Sequence, residues 1–146
     1  MKKFLKRLAA VALVLVGALS LASCDKSSSI KKAYEKEEYT VSETKMDDVY
    51  NTPLVGTIVK SAIESNYNEN QRKEIASYSV IFAYKGTNYA LIVKFPGSGD
   101  VKDFLTTEDS DGKKDTSAYD SAKDNGSING NCLLLVASNA AKEIFK

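Results

Sequence analysis

Residues 77–95 read SYSVIFAYKGTNYALIVKF, two apolar and aromatic runs around a short break. Ser77 to Tyr84 and Asn88 to Phe95 flank Lys85-Gly86-Thr87, where Gly86 supplies the positive φ that a tight turn requires. With Gly86-Thr87 as a two-residue loop, Tyr84 pairs with Tyr89. Tyr78, Val80, Phe82 and Tyr84 then share a face with Tyr89, Leu91, Val93 and Phe95. Every member of that face is apolar or aromatic. The other face carries Ser79, Ile81, Ala83, Ala90, Ile92 and Lys94, a mixed set. A slip of one residue would destroy the agreement, so the register is specified by the pattern itself.

Working outward, Asn51-Thr52-Pro53 reads as a helix start, with Thr52 as cap and proline at the first helical position. Leu54, Val55, Ile58, Val59, Ala62 and Ile63 recur at helical spacing and predict one apolar stripe ending near Asn66. Asn68 to Ala76 is a polar loop or a short second helix. Pro96-Gly97-Ser98-Gly99-Asp100 is a turn, Val101 to Leu105 suits one helical turn, and Thr116 to Asp124 a short helix with Gly126 beyond its end. Cys132 to Lys146 fits either one helix or a buried strand followed by a helix capped at Ser138 or Asn139. We take strand then helix. The expected fold is α+β, a small antiparallel sheet containing the central hairpin and the 132–137 strand, with one or two helices packed on one face.

Chemistry is narrowed by what the chain contains. It has no histidine, two cysteines and 19 acidic residues against 20 basic ones. Histidine-ligated zinc, Ser-His-Asp triads and Cys-His dyads are therefore excluded. Cys132, within Cys132-Leu133-Leu134-Leu135-Val136, reads as a small buried hydrophobe rather than a nucleophile. Tyr78, Tyr84 and Tyr89 could form a stacking platform for a sugar ring or peptide, but a small domain short of apolar area favours them as core, with their hydroxyls at its wet margin. The acidic loop Glu108-Asp109-Ser110-Asp111-Gly112 fails as an EF-hand. With Gly112 sixth, Thr107 stands first and Ala118 twelfth, where a carboxylate and a bidentate glutamate belong. Gly97-Ser98-Gly99 lacks the spacing of a phosphate loop. No catalytic residue, metal site or cofactor is assigned.

The N-terminal segment carries the most specific pattern. Lys2, Lys3, Lys6 and Arg7 stand without an acid, and Leu8 to Ala22 then runs uncharged. Those fifteen residues would span only ~23 Å as a helix, short of a hydrocarbon core of roughly 30 Å but suited to an export signal. Leu21-Ala22-Ser23-Cys24 resembles the bacterial lipobox: an aliphatic residue, two small ones, then cysteine. The resemblance implies a diacylglyceryl thioether on Cys24 and cleavage between Ser23 and Cys24. Asp25, directly after it, resembles an inner-membrane retention signal of enteric Gram-negative bacteria. Two acyl chains give stable attachment where one is marginal.

The expected organisation is a signal peptide over 1–23, a lipidated Cys24 with a flexible tether over 24–40, and one domain over 41–146. A short surface helix is the alternative for the charged tether. Removing 1–23 takes four basic residues and no acid, leaving 16 against 19 and a net charge of −3 over 123 residues. A mildly acidic chain has no electrostatic reason to bind nucleic acid. The signal and the C-terminal Cys132-Leu133-Leu134-Leu135-Val136-Ala137-Ser138 with Asn139 to Lys146 are similar to small uncharacterised lipoproteins of low-GC Gram-positive bacteria. The expectation is a membrane-anchored, extracytoplasmic, non-catalytic module binding an envelope protein or cell-wall component. The alternative is a small envelope enzyme using carboxylate or Ser/Lys chemistry.

Overall fold

A computed structural model of the chain describes residues 25–146, and the lipobox residues Ser23 and Cys24 lie outside them. The order is α1 (Ser27–Lys36), β1 (Thr40–Thr44), α2 (Met46–Tyr50), α3 (Gly56–Asn66), α4 (Glu69–Ser77), β2 (Val80–Lys85), β3 (Asn88–Lys94) and α5 (Ser98–Leu105). There follow the short pair β4 (Thr107–Glu108) and β5 (Lys114–Asp115), then α6 (Ser117–Asp124), β6 (Ile128–Asn129), β7 (Cys132–Ala137) and α7 (Asn139–Phe145). Five strands make one antiparallel sheet in the order β1-β2-β3-β7-β6. The fold is α+β.

The β2–β3 hairpin lies at the sheet centre in the expected register, with Tyr84 opposite Tyr89, Phe82 opposite Leu91 and Val80 opposite Val93. Gly86 turns it with φ of 60°. Both its faces are covered. Val80, Phe82, Leu91 and Val93 pack on Met46 and Val49 of α2, Val59 and Ile63 of α3, Ile75 of α4, and Val101 and Phe104 of α5. Ile81, Ala83, Ala90 and Ile92 are buried beneath Ile30 and Tyr34 of α1 and Ala141 and Phe145 of α7. The helices thus occupy two faces rather than the expected one. The apolar runs of these strands are those of a sheet covered on both sides, and the polar members of the mixed face, Ser79 and Lys94, fall at its end.

The expected tether is corrected by α1, which belongs to the domain. Ser27, Ile30 and Tyr34 are buried at helical spacing, and the Tyr34 hydroxyl donates to the Ala141 carbonyl at 2.7 Å. The helix closes in a Schellman arrangement. Tyr39 N–H donates to Tyr34 C=O, Glu38 N–H donates to Glu35 C=O, and Glu38 takes φ of 64° where glycine is commoner. The accompanying apolar contact is the edge-on packing of Tyr34 and Tyr39, ring centroids 5.4 Å apart. The domain therefore includes α1 and does not start at residue 41.

The start of α3 also differs. Pro53 lies in a turn before the helix, Leu54 takes φ of 70°, and the Gly56 N–H donates to the Thr52 carbonyl. Leu54 and Ile58 consequently face solvent, 84% and 49% exposed, and the buried stripe is Val55, Val59 and Ile63. Residues 69–77 are helical, opened by a reciprocal capping box between Asn68 and Gln71. The C-terminal segment is strand then helix, as expected.

Candidate functional site

The three tyrosines do not converge. Tyr84 and Tyr89 stand opposite each other at the turn end of the hairpin, while Tyr78 lies six residues along extended chain from Tyr84, roughly 20 Å away. Each is half-buried against the larger core: Tyr78 packs on Phe95 with centroids 5.1 Å apart, and Tyr84 stacks on Phe82 at 5.3 Å. They fill core margins rather than line one groove. Cys132 is fully buried, and desolvation pushes its thiol up to about 12, so it carries no thiolate near neutrality. In the acidic loop, Asp109 Oδ1 accepts from the Asp111 and Lys113 amides, which ties that oxygen to its own turn. Among the described residues no group of three carboxylate or cysteine side chains is placed to hold a metal, and no helix is long and apolar enough to cross a membrane.

The groups the fold does bring together lie where α1 meets the sheet. Lys94, at the end of β3, places its Nζ 3.3 Å from Asp25 Oδ2 and 3.7 Å from Glu43 Oε1, while Lys31 of α1 contacts Glu43 Oε2 at 2.8 Å. Asp25 also accepts from the Ser27 N–H at 3.0 Å, closing the first turn of α1. Beside it, the Lys26 N–H donates to the Asn131 side-chain oxygen, and the Asn131 amide donates to the Phe95 carbonyl at 2.8 Å. Asn131 is only 3% exposed, so it is a buried polar group with its partners satisfied.

The Ser27 hydrogen bond, with Lys94 behind it, lowers Asp25 to about 2. Lys31 chiefly holds Glu43 below its ordinary value. Desolvation alone would depress Lys94, but Asp25 and Glu43 outweigh it and raise the ammonium. Each of these three shifts favours the charged form, and all three groups are held in ion pairs. A general acid needs its carboxyl pushed upward instead, so two acids converge here without the tuning proton transfer requires. The cluster acts as a clamp, fastening residue 25 and the N-terminus of α1 to β1, β3 and the β7 entrance.

No protein family, curated protein or solved structure matches this chain. Function is therefore read from these residues themselves. The clamp was not anticipated, because its members stand at 25, 31, 43 and 94 with no local spacing to reveal them. The readable signal was Lys94, a lone charge at the end of the apolar run from Tyr89 to Val93. The other feature that the sequence pattern does not reveal is the exposed pair Leu54 and Ile58, which helical spacing places on the apolar stripe.

Proposed function

We propose that this chain is a membrane-anchored extracytoplasmic lipoprotein whose α+β domain is a non-catalytic binding or interaction module of the cell envelope. One observation carries the reading: Leu21-Ala22-Ser23-Cys24 follows a basic stretch and an uncharged run of fifteen residues. In this reading the mature chain starts at Cys24, holds the bilayer through a diacylglyceryl thioether on that sulfur, and presents the domain outside the cytoplasm. Two further features support a binding role. The converging carboxylates are locked as ion pairs. Leu54, 84% exposed, sits on a turn at φ of 70°, a conformation of the kind stored at contact sites.

The anchor is tested by Cys24→Ala in cells fed labelled fatty acid. The expected product is full-length precursor without label; a processed, mature-sized protein from that variant would refute the anchor. The binding role is tested by crosslinking in intact cells, comparing the wild-type chain with Leu54→Ser and with an unrelated lipid-anchored protein. A partner recovered with the wild type and lost with Leu54→Ser is expected. Recovery no greater than with the unrelated protein counts against an interaction module.

A further inference from the structure

The absence of a spacer between the lipobox cysteine and the domain has a geometric consequence. Asp25 is held by Lys94 and by the Ser27 amide, and the next residue, Lys26, donates its N–H to buried Asn131. Cys24 is one peptide unit further, ~3.8 Å between α-carbons. Had residues 25–40 been a flexible tether, sixteen residues would have allowed a mean separation of roughly 20–24 Å. The interfacial layer of a bilayer is only roughly 5–7 Å deep on each side. With acyl chains on Cys24, the end of the domain around Asp25 has no room to stand clear of the headgroups.

The surface at that end suits such a neighbour. The β1, β3 and β7 termini Thr44, Lys94 and Cys132 all lie there. A shallow recess of about 310 Å³ opens beside Lys94, lined by Lys45, Ser77, Tyr78 and Pro96 among others. Lys26 and Lys45 are exposed, and among the described residues neither has a carboxylate within ion-pair distance. Glu43 and Asp25 are already matched by Lys31 and Lys94. Two exposed ammonium groups without an ion-pair partner and a half-buried tyrosine are side chains that meet lipid phosphates and the interfacial zone. The carboxylates of Asp48, beside Thr44, and of Glu74 and Asp100, near Tyr78, share this end, so the docking follows first from the short distance to Cys24.

We propose that the end of the domain formed by Asp25, Lys26, Lys45, Tyr78 and Lys94 docks on the phospholipid headgroup layer that holds the Cys24 acyl chains. This proposal rests on the anchor reading above. It fixes the domain upright, with the Lys85-Gly86-Thr87 turn at the far end of the sheet, a six-residue strand or roughly 20 Å from the membrane.

The test uses the mature lipidated chain in phosphatidylcholine–phosphatidylglycerol vesicles containing a headgroup spin-labelled lipid. Fluorophores are placed singly through Lys45→Cys, Ser98→Cys and Thr87→Cys, three exposed positions. Buried Cys132 stays unlabelled. Quenching at 45 and 98 at least threefold greater than at 87 is expected. Equal quenching at the two ends, with the acyl chains on Cys24 verified by mass, overturns the docking and leaves the anchor standing. A mature mass without acyl chains overturns the anchor and the docking together. Ser98→Cys keeps the comparison intact should Lys45→Cys disturb its contact with the Ser77 carbonyl.

Discussion

Replacing Gly56 with alanine should destabilise the protein, although alanine is the better helix former by about 1 kcal/mol. Gly56 opens α3 directly over the end of α2. A Cβ there would stand 2.9 Å from both the Tyr50 carbonyl carbon and the Val49 oxygen, and closer still to the Tyr50 oxygen. These are backbone atoms of a helix whose Met46 and Val49 are locked in the core, so relief requires the two helices to separate. Overpacking of this kind costs about 1–3 kcal/mol. The intrinsic gain is small at a first helical position, and the net loss should be about 2 kcal/mol, or roughly 6–10 °C in Tm for a domain of this size. Gly99 is the control. It also lies in a helix, α5, but a Cβ there meets nothing within 4 Å. Gly99→Ala should therefore be neutral or stabilising by about 0.4–1 kcal/mol. Thermal and urea unfolding followed by far-ultraviolet circular dichroism would measure both. If Gly56→Ala matches or exceeds the wild type, or if the two variants shift in the same direction, the close approach of α2 and α3 is wrong.

Ile30→Ala distinguishes a packed α1 from a tether: a side chain 3% exposed against the sheet should cost about 2–4 kcal/mol in urea unfolding, and a loss below about 0.5 kcal/mol would contradict its burial. Tyr34→Phe leaves the Ala141 carbonyl without its donor and should cost about 1–2 kcal/mol by the same assay. Asp25 gives a pH signature. Its folded-state value of about 2 lies below the ordinary 3.8, so its stabilisation is complete above about pH 4 and is lost as pH falls from 4 towards 2. Asp25→Asn should flatten the urea midpoint across that window while changing little in its slope above pH 5; an acid limb as steep as that of the wild type would show that the clamp does not act.

The turn and register of the hairpin could be read because their information is local: one glycine at the break, and one face that is apolar or aromatic at every position only in that register. The C-terminal strand and helix were legible for a similar reason, an unbroken apolar run that ends at Ser138-Asn139. The capping residues Asn68 and Gln71 stood in the chain at the right spacing, yet charge alone left that helix undecided. Charge density also hid α1, whose buried Ile30 and Tyr34 sit among lysines and glutamates, and whose end uses Glu38 where glycine would have announced the stop. Other departures are not local at all. Pro53 looks like a first helical residue, but the fit of Gly56 against Tyr50 delays α3 by three residues and turns Leu54 outward. The second covered face needs helices from both ends of the chain, which no window of residues contains. The clamp likewise joins residues 25, 31, 43 and 94 only after the sheet exists.

The Asn131 link has a consequence for the order of events during synthesis. Lys26 finds its partner 105 residues later, and Tyr34 finds Ala141 after 107. The first helix can meet β1 and the hairpin earlier, but its seat is incomplete until the last strand and helix have emerged, and contacts of such long sequence separation form slowly. Throughout that interval one side of the hairpin stays incompletely covered, and Lys26 is not yet fastened to Asn131. That side is closed only when α7 docks, so residues 25–36 and 139–145 reach their native places together.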